Sequence, residues 1–130
     1  MTSVSLSFAH EKRTVADKYE FVVGFVSEPA FSGQMNGVDL RVLKEGLTVE
    51  GLEDKLKVTV IREDQETTLS LSFKGKYKEP GRYSAFFLPT KPGKYIFRIQ
   101  GEIDGVAIDE KFESGAKFHD VEDIEPLKFP

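Results

Sequence analysis

The sequence is poor in the residues on which most chemical sites are built. Its 130 residues include no cysteine, no tryptophan and two histidines. Without cysteine the chain forms no disulfide, no thiolate-based zinc site and no thiol nucleophile. The redox compartment stays undetermined, because stable secreted domains without cysteine are common.

Long apolar runs and concentrated positive charge are also missing. A membrane-spanning helix needs about 18 consecutive apolar residues, and since no segment approaches that length we expect no membrane span in this chain. The formal net charge is −4, with lysine and arginine mixed among the acidic residues. Because a phosphate backbone binds to a concentrated basic surface, a nucleic-acid partner is not expected.

The common catalytic motifs are absent as well. The sequence contains no GxSxG nucleophile elbow, no glycine-rich phosphate loop and no pair of carboxylates whose spacing marks a catalytic cleft. We therefore identify no catalytic residue and expect the protein not to be an enzyme.

What the sequence does contain is aromatic residues in alternating segments. Eleven Phe and four Tyr fall mostly where apolar and polar residues alternate, which is the pattern of a half-buried β-strand. Helical periodicity is nearly missing. We predict an all-β protein, a seven-stranded antiparallel β-sandwich of the immunoglobulin or fibronectin type. The seven segments are 18–26, 37–42, 55–61, 67–73, 82–87, 94–103 and 106–112.

Turn residues support this order of strands. The polar link 62–66 predicts a hairpin loop, and Asp104-Gly105 is typical of a two-residue hairpin turn. Tyr95 begins the sixth segment directly after a turn, where such sandwiches use a tyrosine hydroxyl to tie down the preceding corner.

The chain has room for one domain. Residues 17–130 are predicted to form the single β-sandwich, with a C-terminal tail that packs across it. The tail residues expected to pack are Phe118, Val121, Ile124, Leu127 and Phe129.

Residues 1–16 have two interpretations, a signal-peptide remnant or an N-terminal strand. Ser7 and Ala9 meet the small-residue requirement of signal cleavage, which would leave His10 as the first residue of the mature protein. Residues 4–8 also alternate as a strand does. Both interpretations stay open.

His10, His119 and Asp120 are the candidate metal ligands. Neutral imidazole is a good copper ligand, and two such rings with a carboxylate or a terminal amine make a copper site. The tail is expected to return to the end of the sandwich where the N-terminus lies. Copper is the one candidate cofactor. The acidic run 120–125 lacks the spacing of a calcium loop, so we expect it to be a solvated surface.

Four phrases carry a resemblance to a known family: YEFVVGFVSEPAFSGQMNGVDLRV, VEGLEDKLKVTV, PGRYSAFFLPTKPGKYIFRIQGEIDG and DVEDIEPLKFP. With them the sequence resembles the extracytoplasmic immunoglobulin-like domains grouped as YtkA-like and copper-resistance CopC-like proteins of prokaryotes. The resemblance implies a secreted or membrane-tethered β-sandwich. In the copper-resistance branch it implies a copper site of the mature N-terminal histidine, an aspartate and a second histidine, which His10, Asp120 and His119 would match.

The leading hypothesis is an extracytoplasmic binding module, periplasmic or at the cell surface, whose partner is Cu(II) or a protein. The alternative is a structural protein that assembles through an N-terminal strand or through exposed sheet edges, with partners or with copies of itself. A third hypothesis is a carbohydrate-binding accessory domain that uses exposed Phe31, Tyr77 and Phe118.

Overall fold

The computed structural model describes residues 9–130, which form two antiparallel β-sheets packed face to face. Ten strands and one short 3-10 helix, Glu125–Leu127, make up its regular structure. The strands are β1 (His10–Val15), β2 (Tyr19–Phe25), β3 (Asn36–Lys44), β4 (Leu47–Thr48), β5 (Leu56–Arg62), β6 (Thr68–Ser72), β7 (Lys74–Lys76), β8 (Glu79–Phe87), β9 (Tyr95–Ile103) and β10 (Val106–Glu113).

The order of the strands is that of an immunoglobulin-type sandwich. The larger sheet runs β1-β2-β3-β8-β7, with β4 paired to the end of β3, and the smaller sheet runs β10-β9-β5-β6. Taken from β2 onward, these are the A-B-E-D sheet and the G-F-C sheet with one added strand. The predicted all-β antiparallel sandwich is confirmed.

The predicted number of strands is wrong: residues 9–130 contain ten strands where seven were expected. All seven predicted strands are present, and β1, β4 and β7 were missed. Strands β4 and β7 have two and three residues, too few to show alternation. Strand β1 lacks the apolar pattern because Glu11 and Arg13 occupy two of its inward positions.

Glu11 and Arg13 take part in ion pairs at the edge of the sandwich. The Arg13 guanidinium donates to the Glu11 carboxylate at 2.7 Å and to Glu110 of the opposite sheet at 2.9 Å. It also lies over the Phe112 ring, 4.1 Å from the ring centroid. An ion pair and a cation–π contact therefore replace the apolar side chains that a central strand would carry.

Strand β1 precedes residue 17, where the predicted domain begins, and pairs with β2 along its whole length. Residues 10–15 are thus part of the sandwich. The strand predicted at residues 4–8 lies outside the described residues, and both interpretations of the segment before His10 stay predictions.

The core is built from the inward positions of the alternating segments. Phe25 of β2 meets Phe97 of β9 edge to face at 5.2 Å between ring centroids, and Phe118 of the tail stacks on Phe97 at 5.7 Å. Such pairs add to the free energy that burial of the rings supplies. In the absence of disulfides and tryptophan, these rings join the two sheets to each other and to the tail.

The tail packs as predicted over part of its length. Phe118 and Val121 are buried in the core, and Val121 exchanges backbone hydrogen bonds with Gly93. Leu127 and Phe129 are 62% and 98% exposed, so the prediction that they pack is wrong. The burial of Phe118 also removes it from the aromatic residues proposed to bind carbohydrate.

The predictions for the Asp104-Gly105 turn and for the Tyr95 corner are confirmed. Asp104 and Gly105 join β9 to β10 with φ of 47° and 79°, the positive values of a two-residue hairpin turn. The Tyr95 hydroxyl donates to the carbonyl oxygen of Lys91 at 2.7 Å, and so it ties the loop before β9 to the first residue of that strand.

Replacement of Tyr95 by phenylalanine tests that corner. Tyr95→Phe leaves the carbonyl of Lys91 without its donor in a half-buried site, and we expect a loss of about 1–2 kcal/mol in the free energy of unfolding. Tyr77→Phe is the matched control, because the Tyr77 side chain is 84% exposed. Equal unfolding midpoints in urea for both variants would contradict the role given to Tyr95.

Candidate functional site

The structure does not gather the three predicted metal ligands into one group. His10 begins β1, whereas His119 is exposed and Asp120 half-buried in the loop after β10. The Ser114 hydroxyl donates to the Asp120 carboxylate, so Asp120 is bound within the loop that follows β10. Among residues 9–130, no three His, Asp or Glu side chains lie close enough together to hold a metal ion.

His10 contacts an aspartate that sequence reasoning did not single out. His10 on β1 pairs with Gly24 on β2, which pairs in turn with Asp39 on β3. The imidazole reaches across Gly24, and its Nε2 lies 2.8 Å from Asp39 Oδ2. A Cβ atom at position 24 would lie 2.8 Å from His10 Cγ, so only glycine leaves the space that this contact needs.

Asp39 is also bound by Arg82 from the strand on its other side. Arg82 Nε donates to Oδ1 at 3.1 Å and Arg82 Nη2 to Oδ2 at 2.9 Å, a bidentate pair. Arg82 Nη1 donates to Glu79 at 2.8 Å. His10, Asp39 and Arg82, here called the ionic triad, lie on the outer face of the larger sheet.

Electrostatics keep Asp39 and Arg82 charged. Burial by itself would raise the pKa of Asp39, which is 4% exposed, but the hydrogen bonds from His10 and Arg82 and the charge of Arg82 leave that pKa below its ordinary value. The hydrogen bond with Asp39 raises the pKa of Arg82 in turn. The triad therefore holds a carboxylate whose negative charge is already compensated.

The triad forms the floor of a groove of about 680 Å³. Lys12, Arg41 and Lys117 stand around it, and none of them has an ion-pair partner among residues 9–130. Asp39 is the one acidic residue in the described lining, which consists of Ala9, His10, Lys12, Val22, Asp39, Arg41, Arg82 and Lys117. The groove is thus locally positive in a chain whose net charge is negative.

Glu28 is a second acidic group at this end of the sandwich. Its Oε1 accepts from the backbone N–H of Phe25 at 3.4 Å, and its Oε2 is buried without a hydrogen-bond partner among the described residues. Burial raises the pKa of Glu28, while the Phe25 hydrogen bond and the charges of His10 and His119 act in the opposite direction. Both histidines are therefore within electrostatic range of Glu28.

Comparison with known proteins identifies a fold and no family. The sequence matches no family model and no curated protein, so the YtkA-like and CopC-like resemblance stays a prediction. The crystal structure of a DUF4426 family protein from Pseudomonas aeruginosa PAO1 is 15% identical, with a TM-score of 0.63 over 82% of this chain and 93% of that chain. At this identity the likeness shows a shared fold alone.

A filamin domain, that of Lin-41, is a second similar structure. It is 13% identical, with a TM-score of 0.44 over 78% of this chain and 90% of that chain.

In the part of the chain that the structure describes, no helix is long and apolar enough to cross a membrane.

Removal of the Asp39 charge tests the ionic triad. In Asp39→Asn, Arg82 and His10 keep a neighbour of the same size but lose the buried carboxylate, and we expect the free energy of unfolding at pH 7 to fall by about 3 kcal/mol. Because the pKa of Asp39 is lowered by folding, its contribution is complete above the ordinary value of 3.8 and disappears as pH falls through the native value.

The difference between the wild type and Asp39→Asn should therefore shrink in acid. The control is Asp109→Asn, which breaks the exposed pair that Arg98 and Asp109 form on the other sheet at 2.7 Å. That variant should lose much less stability. Denaturant unfolding over a pH series measures both, and a difference that persists undiminished in strong acid would contradict the assignment.

Proposed function

We propose that this protein is an extracytoplasmic immunoglobulin-like binding module, without enzymatic activity, whose ligand is a small organic anion bound in the groove above the ionic triad. One observation carries the proposal. Lys12, Arg41 and Lys117 surround a groove whose one described carboxylate, Asp39, is already neutralised. The extracytoplasmic location rests on the family resemblance.

The charge balance of the groove favours an anionic ligand. Arg82 compensates Asp39, so the charges of the three surrounding side chains are left to attract a ligand. In a half-enclosed site such charges act more strongly than on an open surface, because less water screens them. A volume of about 680 Å³ lies within the range of sites for small molecules, and Val22 adds apolar surface beneath the ligand.

Titration with citrate tests the groove directly. Citrate is a compact tricarboxylate, and we expect saturable binding by isothermal titration calorimetry that weakens as salt is added. Arg41→Gln and Lys117→Gln should each weaken binding about tenfold, the cost of about 1.4 kcal/mol for one lost charged contact.

Lys57→Gln is the control for that experiment, since Lys57 is an exposed lysine on β5 of the opposite sheet. It removes the same charge at a distance from the groove. If citrate fails to saturate the wild type, or if Lys57→Gln weakens binding as much as Arg41→Gln does, the groove is not the site.

Copper is the second candidate ligand, and the orientation of His10 favours it. Histidines that bind metals usually donate their other ring N–H to a carboxylate, and His10 has such a partner in Asp39. The remaining nitrogen, Nδ1, has no hydrogen-bond partner within residues 9–130. Cleavage after Ala9 would add the amine of His10 to the donor set, with Glu28 and His119 at the same end. Asp120 fits less well because Ser114 occupies it.

Copper uptake can be measured on the chain that starts at His10. We expect one equivalent of Cu(II) per chain, seen in the visible absorption and electron paramagnetic resonance spectra. Uptake should be lost in His10→Ala and when residues 1–9 are retained, because the amine is then an amide. His119→Ala removes the second candidate imidazole and should weaken uptake as well. Absence of stoichiometric uptake by the chain that starts at His10 would remove copper from consideration.

A further inference from the structure

The four edges of the two sheets differ in how they are protected from pairing with another chain. The edges are β1 and β7 in the larger sheet and β6 and β10 in the smaller one. Charged side chains occupy β1, β7 and β10, a common way to prevent strand addition. Residues 67–73, which contain β6, have the sequence TTLSLSF and carry no charge, proline or glycine. Among the edge strands of residues 9–130, β6 is the unprotected one.

The backbone of β6 has unused hydrogen-bonding groups on its outer side. Arg62 N–H donates to the Thr67 carbonyl at 2.9 Å, so the carbonyl group of Thr67 faces β5, while the Thr67 N–H donates to Asp64 Oδ1 in the hairpin loop. In a regular antiparallel ladder the peptide groups of successive residues point alternately to either side, and the β5–β6 register is unbroken. The N–H and C=O groups of Thr68, Ser70 and Ser72 therefore point toward the open edge.

The side chains of β6 match a second copy of the same strand. If two copies lie antiparallel with Ser70 facing Ser70, then Leu69 faces Leu71 and Thr68 faces Ser72 of the other copy. Apolar side chains thus meet apolar ones on one face, and hydroxyl groups meet on the other. Leu69 is 46% exposed in the single chain, and Leu71 of the second copy would cover it.

The backbone and the side chains select the same register. The residues with outward-pointing peptide groups are Thr68, Ser70 and Ser72, and these are the residues that face one another when Ser70 is at the centre. Each facing pair can exchange two main-chain hydrogen bonds. A slip by one residue would place the outward-pointing peptide groups of one copy opposite residues of the other copy whose peptide groups point inward. It would also place leucine side chains opposite serine side chains.

The charges at the two ends of β6 are complementary in this arrangement. Glu66 precedes the strand and Lys74 follows it, and neither has an ion-pair partner among residues 9–130. In the antiparallel arrangement Glu66 of one copy lies at the same end of the contact as Lys74 of the other copy, the residue at which the chain begins β7 of the larger sheet. This charge pattern favours a second copy over an unrelated extended peptide.

We propose that the protein forms a two-fold symmetric dimer by antiparallel pairing of β6 with β6 of a second copy, centred on Ser70. The pairing joins the two four-stranded sheets into one continuous sheet and uses the same surface of each subunit, as a two-fold axis requires. It leaves the groove at β1 uncovered, so dimerisation and ligand binding are independent properties. The contact is narrow, and the dimer is expected to be in reversible equilibrium with the monomer.

Charge substitution at the two-fold axis tests the register. Sedimentation equilibrium of the full chain should show a concentration-dependent dimer. Ser70→Lys and Ser70→Glu each place two like charges face to face, and each variant alone should be monomeric. An equal mixture of the two should recover the dimer, because lysine then faces glutamate. Recovery on mixing also shows that both variants are folded.

Ala107→Lys is the matched control, since it adds the same charge to an exposed position of β10, the other edge of the same sheet. It should leave the dimer intact. Hydrogen exchange gives a second measurement: the amides of Thr68, Ser70 and Ser72 should become slower as protein concentration rises, while those of Leu69 and Leu71 should not change.

Three outcomes would overturn the proposal. The wild type could remain a monomer at every concentration, which would leave the edge to another partner. Ser70→Lys could dimerise as the wild type does, or the mixture could fail to recover the dimer; either result excludes a two-fold axis at Ser70.

Discussion

The packing of aromatic rings between the two sheets is the interaction on which the rest of the molecule depends. Phe25, Phe97 and Phe118 come from the larger sheet, the smaller sheet and the tail, and their ring centroids lie 5.2 to 5.8 Å apart. With no disulfide to hold them, the sheets and the tail stay together because these rings are removed from water. Burial of Phe118 also sets the positions of its neighbours. Lys117 and His119 are held at the end of the sandwich where β1 begins, and so the groove depends on the core.

The outer face of the larger sheet has a different organisation. A buried carboxylate is costly unless it is paired and hydrogen-bonded. Asp39 meets both conditions, because His10 on one side and Arg82 on the other donate hydrogen bonds to it. Gly24 makes the contact with His10 possible, because it offers no side chain for the imidazole to cross. A buried ion pair is weak evidence of stability and better evidence of organisation. Here it fixes His10 and Arg82 in the floor of a groove and leaves the surrounding cations available to a ligand.

The edge strands of the two sheets also differ in their side chains. At β1, the Arg13 guanidinium joins the two sheets through its hydrogen bonds to Glu11 and Glu110. The same charges disfavour the addition of a further strand at this edge. Strand β6 has neither charge nor proline, yet its flanking residues are strongly charged. Protection at three edges and its absence at the fourth are consistent with one specific partner rather than with general aggregation.

The sequence alone determined the strands whose inward positions are apolar, the hairpin turn at Asp104-Gly105 and the tyrosine corner, because each is a property of a few neighbouring residues. It did not reveal β1, whose inward positions are filled by an ion pair that includes Glu110 of the other sheet. Nor did it reveal the ionic triad, since His10, Asp39 and Arg82 are distant in sequence and meet only through the register of four strands. Alternation says which face a residue occupies, whereas pairing decides which residue lies beside it. Strand pairing depends on the free energy of the whole folded chain, so only the tertiary structure decided which residues became neighbours.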